Sequence, residues 1–254
     1  MNNLFLGFLL TVLAGFSTMI GASFIFLKSK NKQKIIISSL AFASGVMSTV
    51  SLTDLSYESF NLLKGYFFKT PCLLIILIFI TIGIILSMLI DKYIPDINIT
   101  EKDKSLYKVG LISMIAIILH NIPEGIATFL ATTQDIKLGI SLTIAIAMHN
   151  IPEGISIAIP IFYSTKDKKK ALKFTLISAI SEPIGAIIAF IFLKNIVNDF
   201  IMGIIFSIIA GIMLHISFYE LLPSSLSYKH KYRTIIYYFL GIGFILAKFF
   251  FKIG

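Results

Sequence analysis

The chain has 254 residues, of which 57% are hydrophobic and only 14% charged, and its mean hydropathy is +0.92. Soluble domains carry roughly 25% charged residues, so a water-soluble globule is excluded and an integral membrane protein is expected. The formal charge of +9 does not mark a nucleic-acid binder, because the bases gather at the ends of apolar runs, and the single cysteine, Cys72, excludes a disulfide framework and a thiolate-rich metal cage.

In chain order the apolar runs are Leu4 to Leu27, Ile35 to Leu55, Pro71 to Ile90, Val109 to Thr133, Leu138 to Phe162, Leu172 to Leu193, Phe200 to Leu222 and Thr234 to Phe251. Each is long enough to cross ~30 Å of hydrocarbon at ~1.5 Å per residue. Backbone polar groups in lipid must be paired within their own segment, so these runs are expected to be helices. Met1-Asn2-Asn3 supplies no basic n-region and no cleavage site, so the first run is kept as a span. The expected fold is an all-α integral membrane protein with eight transmembrane helices, in one domain over residues 1–254.

The loops alternate in charge. Lys28, Lys30, Lys32 and Lys34 follow the first run; Lys92, Lys102, Lys104 and Lys108 the third; Lys166, Lys168, Lys169, Lys170 and Lys173 the fifth; Lys229, Lys231 and Arg233 the seventh. The remaining bases, Lys64, Lys69, Lys137, Lys194, Lys248 and Lys252, lie on the other side. By the positive-inside rule the larger group faces the cytoplasm and both termini lie outside the cell membrane. A cytoplasmic rim on a lipid bilayer explains this alternation; a nucleic-acid partner does not.

Inside or at the ends of the runs sit Asp54, Glu124, Glu153, Glu182 and Glu220, with His120, His149 and His215, and the only Lys or Arg among them is Lys248 near the end of the last run. An ionised side chain at mid-bilayer costs at least ~2.5–3.5 kcal/mol, so these acids require a cation. Protons, Na⁺ and a metal ion are the candidates, and the histidines favour a metal.

The densest signal is a duplication. His120-Asn121-Ile122-Pro123-Glu124-Gly125-Ile126 recurs 29 residues later as His149-Asn150-Ile151-Pro152-Glu153-Gly154-Ile155. His and Glu are four apart and Asn and Glu three apart, so each copy projects an imidazole, an amide and a carboxylate from one helix face. The proline frees a backbone carbonyl, and the glycine allows another helix to approach closely. Glu182-Pro183, midway along the sixth run, adds a third carboxylate beside a helix-loosening proline. His215 precedes Glu220 by five residues, about 140° around a helix, so a shared site is not implied and His215 stays open between pathway and packing. A fainter repeat pairs Gly45-Val46-Met47, Ser51, Asp54, Leu55 and Ser59 with Gly211-Ile212-Met213, Ser217, Glu220, Leu221 and Ser225, 166 residues on. The charge pattern makes the second and seventh runs antiparallel, and inverted repeats are a transporter signature.

These motifs resemble the ZIP (Zrt/Irt-like) family of divalent-metal transporters, nearer its bacterial ZupT-like branch. The resemblance covers essentially the whole chain: eight spans, outside termini, the two HNIPEG helices, Ser181-Glu182-Pro183, and the GIM and ELLP of the seventh span. It implies an inverted-repeat bundle (3+2+3) and uptake of Zn²⁺ and related ions into the cytoplasm through a binuclear mid-membrane site. By motif position, His120, Glu124, His149 and Glu153 resemble the ligands of one metal. Asn121, Glu124, Asn150 and Glu182 resemble those of a neighbouring one, with Glu124 bridging, and Met47 resembles a weak thioether ligand. The loop between the third and fourth spans is His-rich in many relatives, whereas Asp91 to Lys108 has no histidine, which argues against a metal-sensing role there.

The ligand chemistry agrees. Imidazole, carboxylate and amide oxygen suit Zn²⁺, Fe²⁺, Mn²⁺, Co²⁺ and Cd²⁺, while Mg²⁺ prefers an all-oxygen, partly hydrated shell. The expected partners are therefore divalent metal ions as cargo and the bilayer, with a homodimer admitted but not required. No enzyme and no catalytic cofactor are expected. An intramembrane metallohydrolase would present H-E-x-x-H, which is absent; a metal exporter would use similar ligands, but the ZIP-like motifs favour uptake. A proton-coupled carrier of organic cations is a third alternative.

Overall fold

The computed structural model describes residues 2–27, 31–93, 101–192 and 198–251, and among them every regular element is helical. Helix α1 (Asn2–Ala22) ends in a 3₁₀ turn, Ser23–Phe26. Helix α2 (Lys32–Val50) runs through a π turn, Ser51–Leu55, into α3 (Ser56–Leu63). Then come α4 (Lys69–Tyr93), α5 (Glu101–Gln134), α6 (Ile136–Thr165) and α7 (Lys168–Phe192). Helix α8 (Asp199–His215) passes through a second π turn, Ile216–Leu221, into α9 (Leu222–Leu226), and α10 (Lys231–Phe251) follows. Counting α2–α3 and α8–α9 as continuous, seven of these helices are long and apolar enough to cross a membrane. The eighth expected span falls within α10, which packs along α2. Lys28, Lys30, Leu193, Lys194 and Lys252 lie outside the described residues, and Lys102 and Lys248 are described in backbone only.

The elements overrun the apolar windows where polar residues still favour a helix. Helix α5 begins at Glu101, eight residues before the window opens at Val109, and the second span continues past Leu55 to Leu63. Hydropathy marks the segment in lipid, whereas good helix formers such as Glu and Lys carry the helix into water. The proline-containing stretches stay helical at Pro123, Pro152, Pro160 and Pro183. Between α5 and α6 stands only Asp135, whose carboxylate accepts the Lys137 amide at 2.8 Å and caps α6. That abrupt reversal lays the two HNIPEG helices antiparallel and in contact.

Close crossings join the helices in a pattern that repeats with inverted order. A Cβ on Gly45 would lie 2.1 Å from the Tyr238 carbonyl oxygen of α10, and one on Gly211 2.0 Å from that of Ile80 in α4. Likewise a Cβ on Gly154 would meet the Thr18 carbonyl of α1 at 1.9 Å, and one on Gly125 the Glu182 carbonyl of α7 at 1.9 Å. The second span thus crosses the eighth as the seventh crosses the third, and the fifth crosses the first as the fourth crosses the sixth. Small residues at such points let backbones touch, which is how helices gain packing energy in lipid. The hydroxyls follow the same rule: Ser59 donates to the Gly203 carbonyl at 2.7 Å, and Ser225 to the Ile37 carbonyl at 3.0 Å. Both members of each pair are displaced by 166 residues, in opposite senses. Each π turn is closed by an i→i+5 bond, Ser56 N–H to the Ser51 carbonyl and Leu222 N–H to the Ser217 carbonyl.

Cys72 is buried against Leu63 and Ile76 rather than facing lipid. The exposed side chains of α4, including Leu74, Leu77, Ile78 and Ile85, form the apolar skin expected of a helix against lipid.

Candidate metal centre

Helices α5 and α6 carry the duplicated motif, and α7 packs across α5. His120, Asn121, Glu124, His149, Asn150, Glu153 and Glu182 are all buried. Glu124 Oε1 lies 3.1 Å from His120 Nε2 on its own helix and 3.0 Å from His149 Nε2 on the neighbouring one. Glu153 Oε1 stands 3.6 Å from His120 Nε2. One ligand atom from each of His120, Glu124 and His149 fits within 4.8 Å of the others. With metal–ligand bonds of ~2.0–2.2 Å, the edges of a tetrahedron about Zn²⁺ are ~3.3–3.6 Å, so small shifts from these hydrogen-bonding separations would make room for an ion.

The amides are held by their nitrogens. Asn121 Nδ2 donates to the Ser178 carbonyl at 3.3 Å; Asn150 Nδ2 donates to the Ala14 carbonyl at 3.0 Å and to Glu182 Oε2 at 2.9 Å. This fixes which end of each amide faces inward. It leaves Asn121 Oδ1, Asn150 Oδ1, Glu124 Oε2 and Glu182 Oε1 buried without a hydrogen-bond partner, and both oxygens of Glu153 are in the same state. Buried polar atoms are nearly always paired, so six unpaired acceptors in one place call for an explanation. Both ring nitrogens of His120 are likewise without a hydrogen-bond partner, and among the described residues no lysine or arginine forms an ion pair with the three glutamates. The chemistry that satisfies such a set is a cation.

A family model described as ZIP Zinc transporter matches residues 96–247, the stretch that holds this cluster. The chain belongs to the ZIP zinc transporter family. It is 40% identical to the zinc transporter ZupT of Clostridium perfringens, over 92% of each chain. It is also 40% identical to the ZupT of Oceanobacillus iheyensis, over 92% of this chain and 93% of that one. To the ZupT of Streptococcus mutans it is 41% identical, over 93% of both. The ZIP helices α5 and α6 thus bring together His120, Glu124, His149 and Glu153, and α7 adds Glu182 beside Asn150.

The other candidates are placed differently. Met47 is fully buried in α2, within the apolar core and on a helix that packs against α6. His215 makes a contact of its own, with Nδ1 2.9 Å from Ser87 Oγ of α4 and its ring stacked on Tyr219 at 5.1 Å. Glu220 lies in the second π turn. The carbonyls of Ala14 and Ser178 escape sequence reasoning altogether, because a backbone oxygen leaves no mark on residue identity, yet they orient both asparagines.

Proposed function

We propose that this ZIP-family membrane protein takes up divalent metal ions, Zn²⁺ foremost, into the cytoplasm through two adjoining metal positions at mid-membrane. The observation that carries the reading is the set of buried acceptors without partners. His120, His149, Glu124 and Glu153 offer two imidazoles and two carboxylates to one ion. Asn121, Asn150, Glu124 and Glu182 offer only oxygens to the next, with the two oxygens of Glu124 divided between them. Met47 of α2 is the candidate thioether ligand.

Borderline N/O ligation selects against Mg²⁺ and admits Fe²⁺, Mn²⁺, Co²⁺ and Cd²⁺ as competitors. The relatives named zinc transporters make Zn²⁺ the first choice. The inward direction is the one that the ZIP-like motifs imply, and the positive-inside pattern supports a topology with both termini outside. The whole chain, 1–254, acts as a single transport domain, and the metal is cargo rather than the cofactor of an enzyme.

The test is uptake into proteoliposomes loaded with a zinc-sensitive dye, with the gradient imposed in either direction. Zn²⁺ should enter, Cd²⁺ and Fe²⁺ should compete, and excess Mg²⁺ should not. Inhibition by Mg²⁺ at concentrations matched to Zn²⁺ would contradict the ligand argument, and transport seen only under the reversed gradient would make the protein an exporter.

A further inference from the structure

Away from the metal cluster, the turn between α9 and α10 and the first turn of α2 form an open cleft of about 420 Å³, lined by Lys34, Lys229, His230, Lys231, Tyr232 and Arg233. Among the described residues no acid lines it. The cleft has a fixed frame. Ser225 donates to the Ile37 carbonyl at 3.0 Å and pairs with Thr234 at 2.9 Å between hydroxyl oxygens, which ties α9 and α10 to α2. Lys229 adopts a left-handed backbone conformation, φ 62°, and turns the chain sharply into α10.

Arg233 is held in place. Its Nε donates to Ser38 Oγ at 2.7 Å and to the Lys34 carbonyl at 3.3 Å, and its guanidinium lies 5.0 Å from the Tyr237 ring centre. Among the described residues it has no carboxylate partner. With Nε anchored, the terminal nitrogens of the fork remain for an anion, the planar, two-pronged geometry that arginine offers to phosphate.

A positive rim is expected of any cytoplasmic loop, but topology needs only charge and not a pinned guanidinium. The inverted repeat supplies an internal comparison. The matching junction after α3, Lys64-Gly65-Tyr66-Phe67-Phe68, lies at the other end of the bundle and shows that the turn itself folds without a basic cluster. Just beyond the cleft, Ile235, Ile236, Phe239 and Leu240 are exposed on α10, and Tyr232 is 86% exposed at its start. Charge above and an apolar face below, with a tyrosine at the border, match the layering of a phospholipid rather than of a free anion.

We infer that this cleft binds the phosphate headgroup of an anionic phospholipid, with the phosphate between the Arg233 fork and the ammonium groups of Lys34, Lys229 and Lys231, and the acyl chains along α10. The inference rests on the membrane-spanning fold and not on the metal or the direction of transport.

The full-length protein in nanodiscs of equal phosphatidylglycerol and phosphatidylcholine, released into the gas phase for native mass spectrometry, reads which lipid stays bound. Wild type should retain phosphatidylglycerol in preference. Arg233→Gln should lower that retention about fivefold, the effect of one base near a membrane surface, and Lys229→Gln with Lys231→Gln should lower it further still. Those lysines are exposed, so their loss tests the cleft without disturbing packing. Arg233→Lys keeps the charge and loses the fork, and should fall between wild type and Arg233→Gln. Lys168→Gln, Lys169→Gln and Lys170→Gln together remove three charges at the same end of the bundle and should leave retention unchanged. An equal loss in that control would reduce the effect to diffuse charge. Equal retention of the two lipids, or displacement of phosphatidylglycerol by millimolar inorganic phosphate, would overturn the lipid assignment.

Discussion

Glu124 and His149 stand 25 positions apart on different helices, and their Oε1 and Nε2 atoms meet at 3.0 Å. The same carboxylate oxygen also faces His120, while its Oε2 has no protein partner. One oxygen thus faces both imidazoles while the other has no hydrogen-bond partner, which is what the proposed bridging role requires.

Glu124→Gln keeps the size of the side chain, removes a charge and turns one oxygen into a donor. It should therefore cost both metals, whereas Glu182→Gln should cost only the one on the amide side and spare His120, His149 and Glu153. Metal content of the purified variants by mass spectrometry, alongside uptake rate, separates the two. Equal metal loss in both, or near-normal uptake by Glu124→Gln, would rule out the bridge and leave the transporter assignment standing.

Backbone contact at the glycines gives a prediction about stability. A Cβ on Gly125 would lie 1.9 Å from the Glu182 carbonyl, while one on Gly243 has nothing within 4 Å. Overpacking of this kind costs typically 1–3 kcal/mol and can cost more, so Gly125→Ala should lower the thermal midpoint or abolish folded yield. Gly243→Ala relieves a helix-interior glycine worth up to ~1 kcal/mol and should be neutral or stabilising. Comparable melting curves for the two variants in detergent would show that the crossing is not tight.

Metal and protons compete for the same lone pairs, so the sign of the pH effect is fixed. Zn²⁺ affinity, measured calorimetrically on the purified protein, should fall steadily as the medium is acidified, because bound metal requires neutral imidazole and ionised carboxylate. Affinity that rises in acid would place the metal on other atoms.

Orientation can be read with single cysteines in a Cys72→Ser background. Gln134 and Lys168 lie near opposite ends of α6, one just before it and one just after. An impermeant thiol reagent applied to intact cells should label Gln134→Cys and not Lys168→Cys. The reverse pattern would invert the topology.

Much of this was legible from residue order. The duplicated HNIPEG stretch placed His and Glu on one face, and the one-residue reversal at Asp135 did the rest by setting α6 against α5. The near-exact recurrence of Ser59 and Ser225 likewise surfaced as matching hydrogen bonds across the inverted halves. What escaped was whatever depends on backbone oxygen or on winding. Nothing in the composition of Ser51–Leu55 or Ile216–Leu221 distinguishes a π turn from an α turn, since each mixes a buried serine with exposed apolar residues, Leu52 in one and Phe218 and Tyr219 in the other. The carbonyls of Ala14 and Ser178 are equally silent. His215 showed the limit of counting positions, because its partner, Ser87, comes from a helix that spacing within its own span cannot indicate.

The two π turns mean that the second and seventh spans each contain one residue more than a regular α-helix needs over the same path. In an ordinary transmembrane helix, deleting a residue turns everything beyond it by about 100° and scrambles its contacts. Within Ser51–Leu55 or Ile216–Leu221 a deletion has a different outcome, because the wide turn can relax to an α turn while both flanks keep their facing. These are therefore the places in the membrane interior where the gene can lose a codon and the bundle can keep its register.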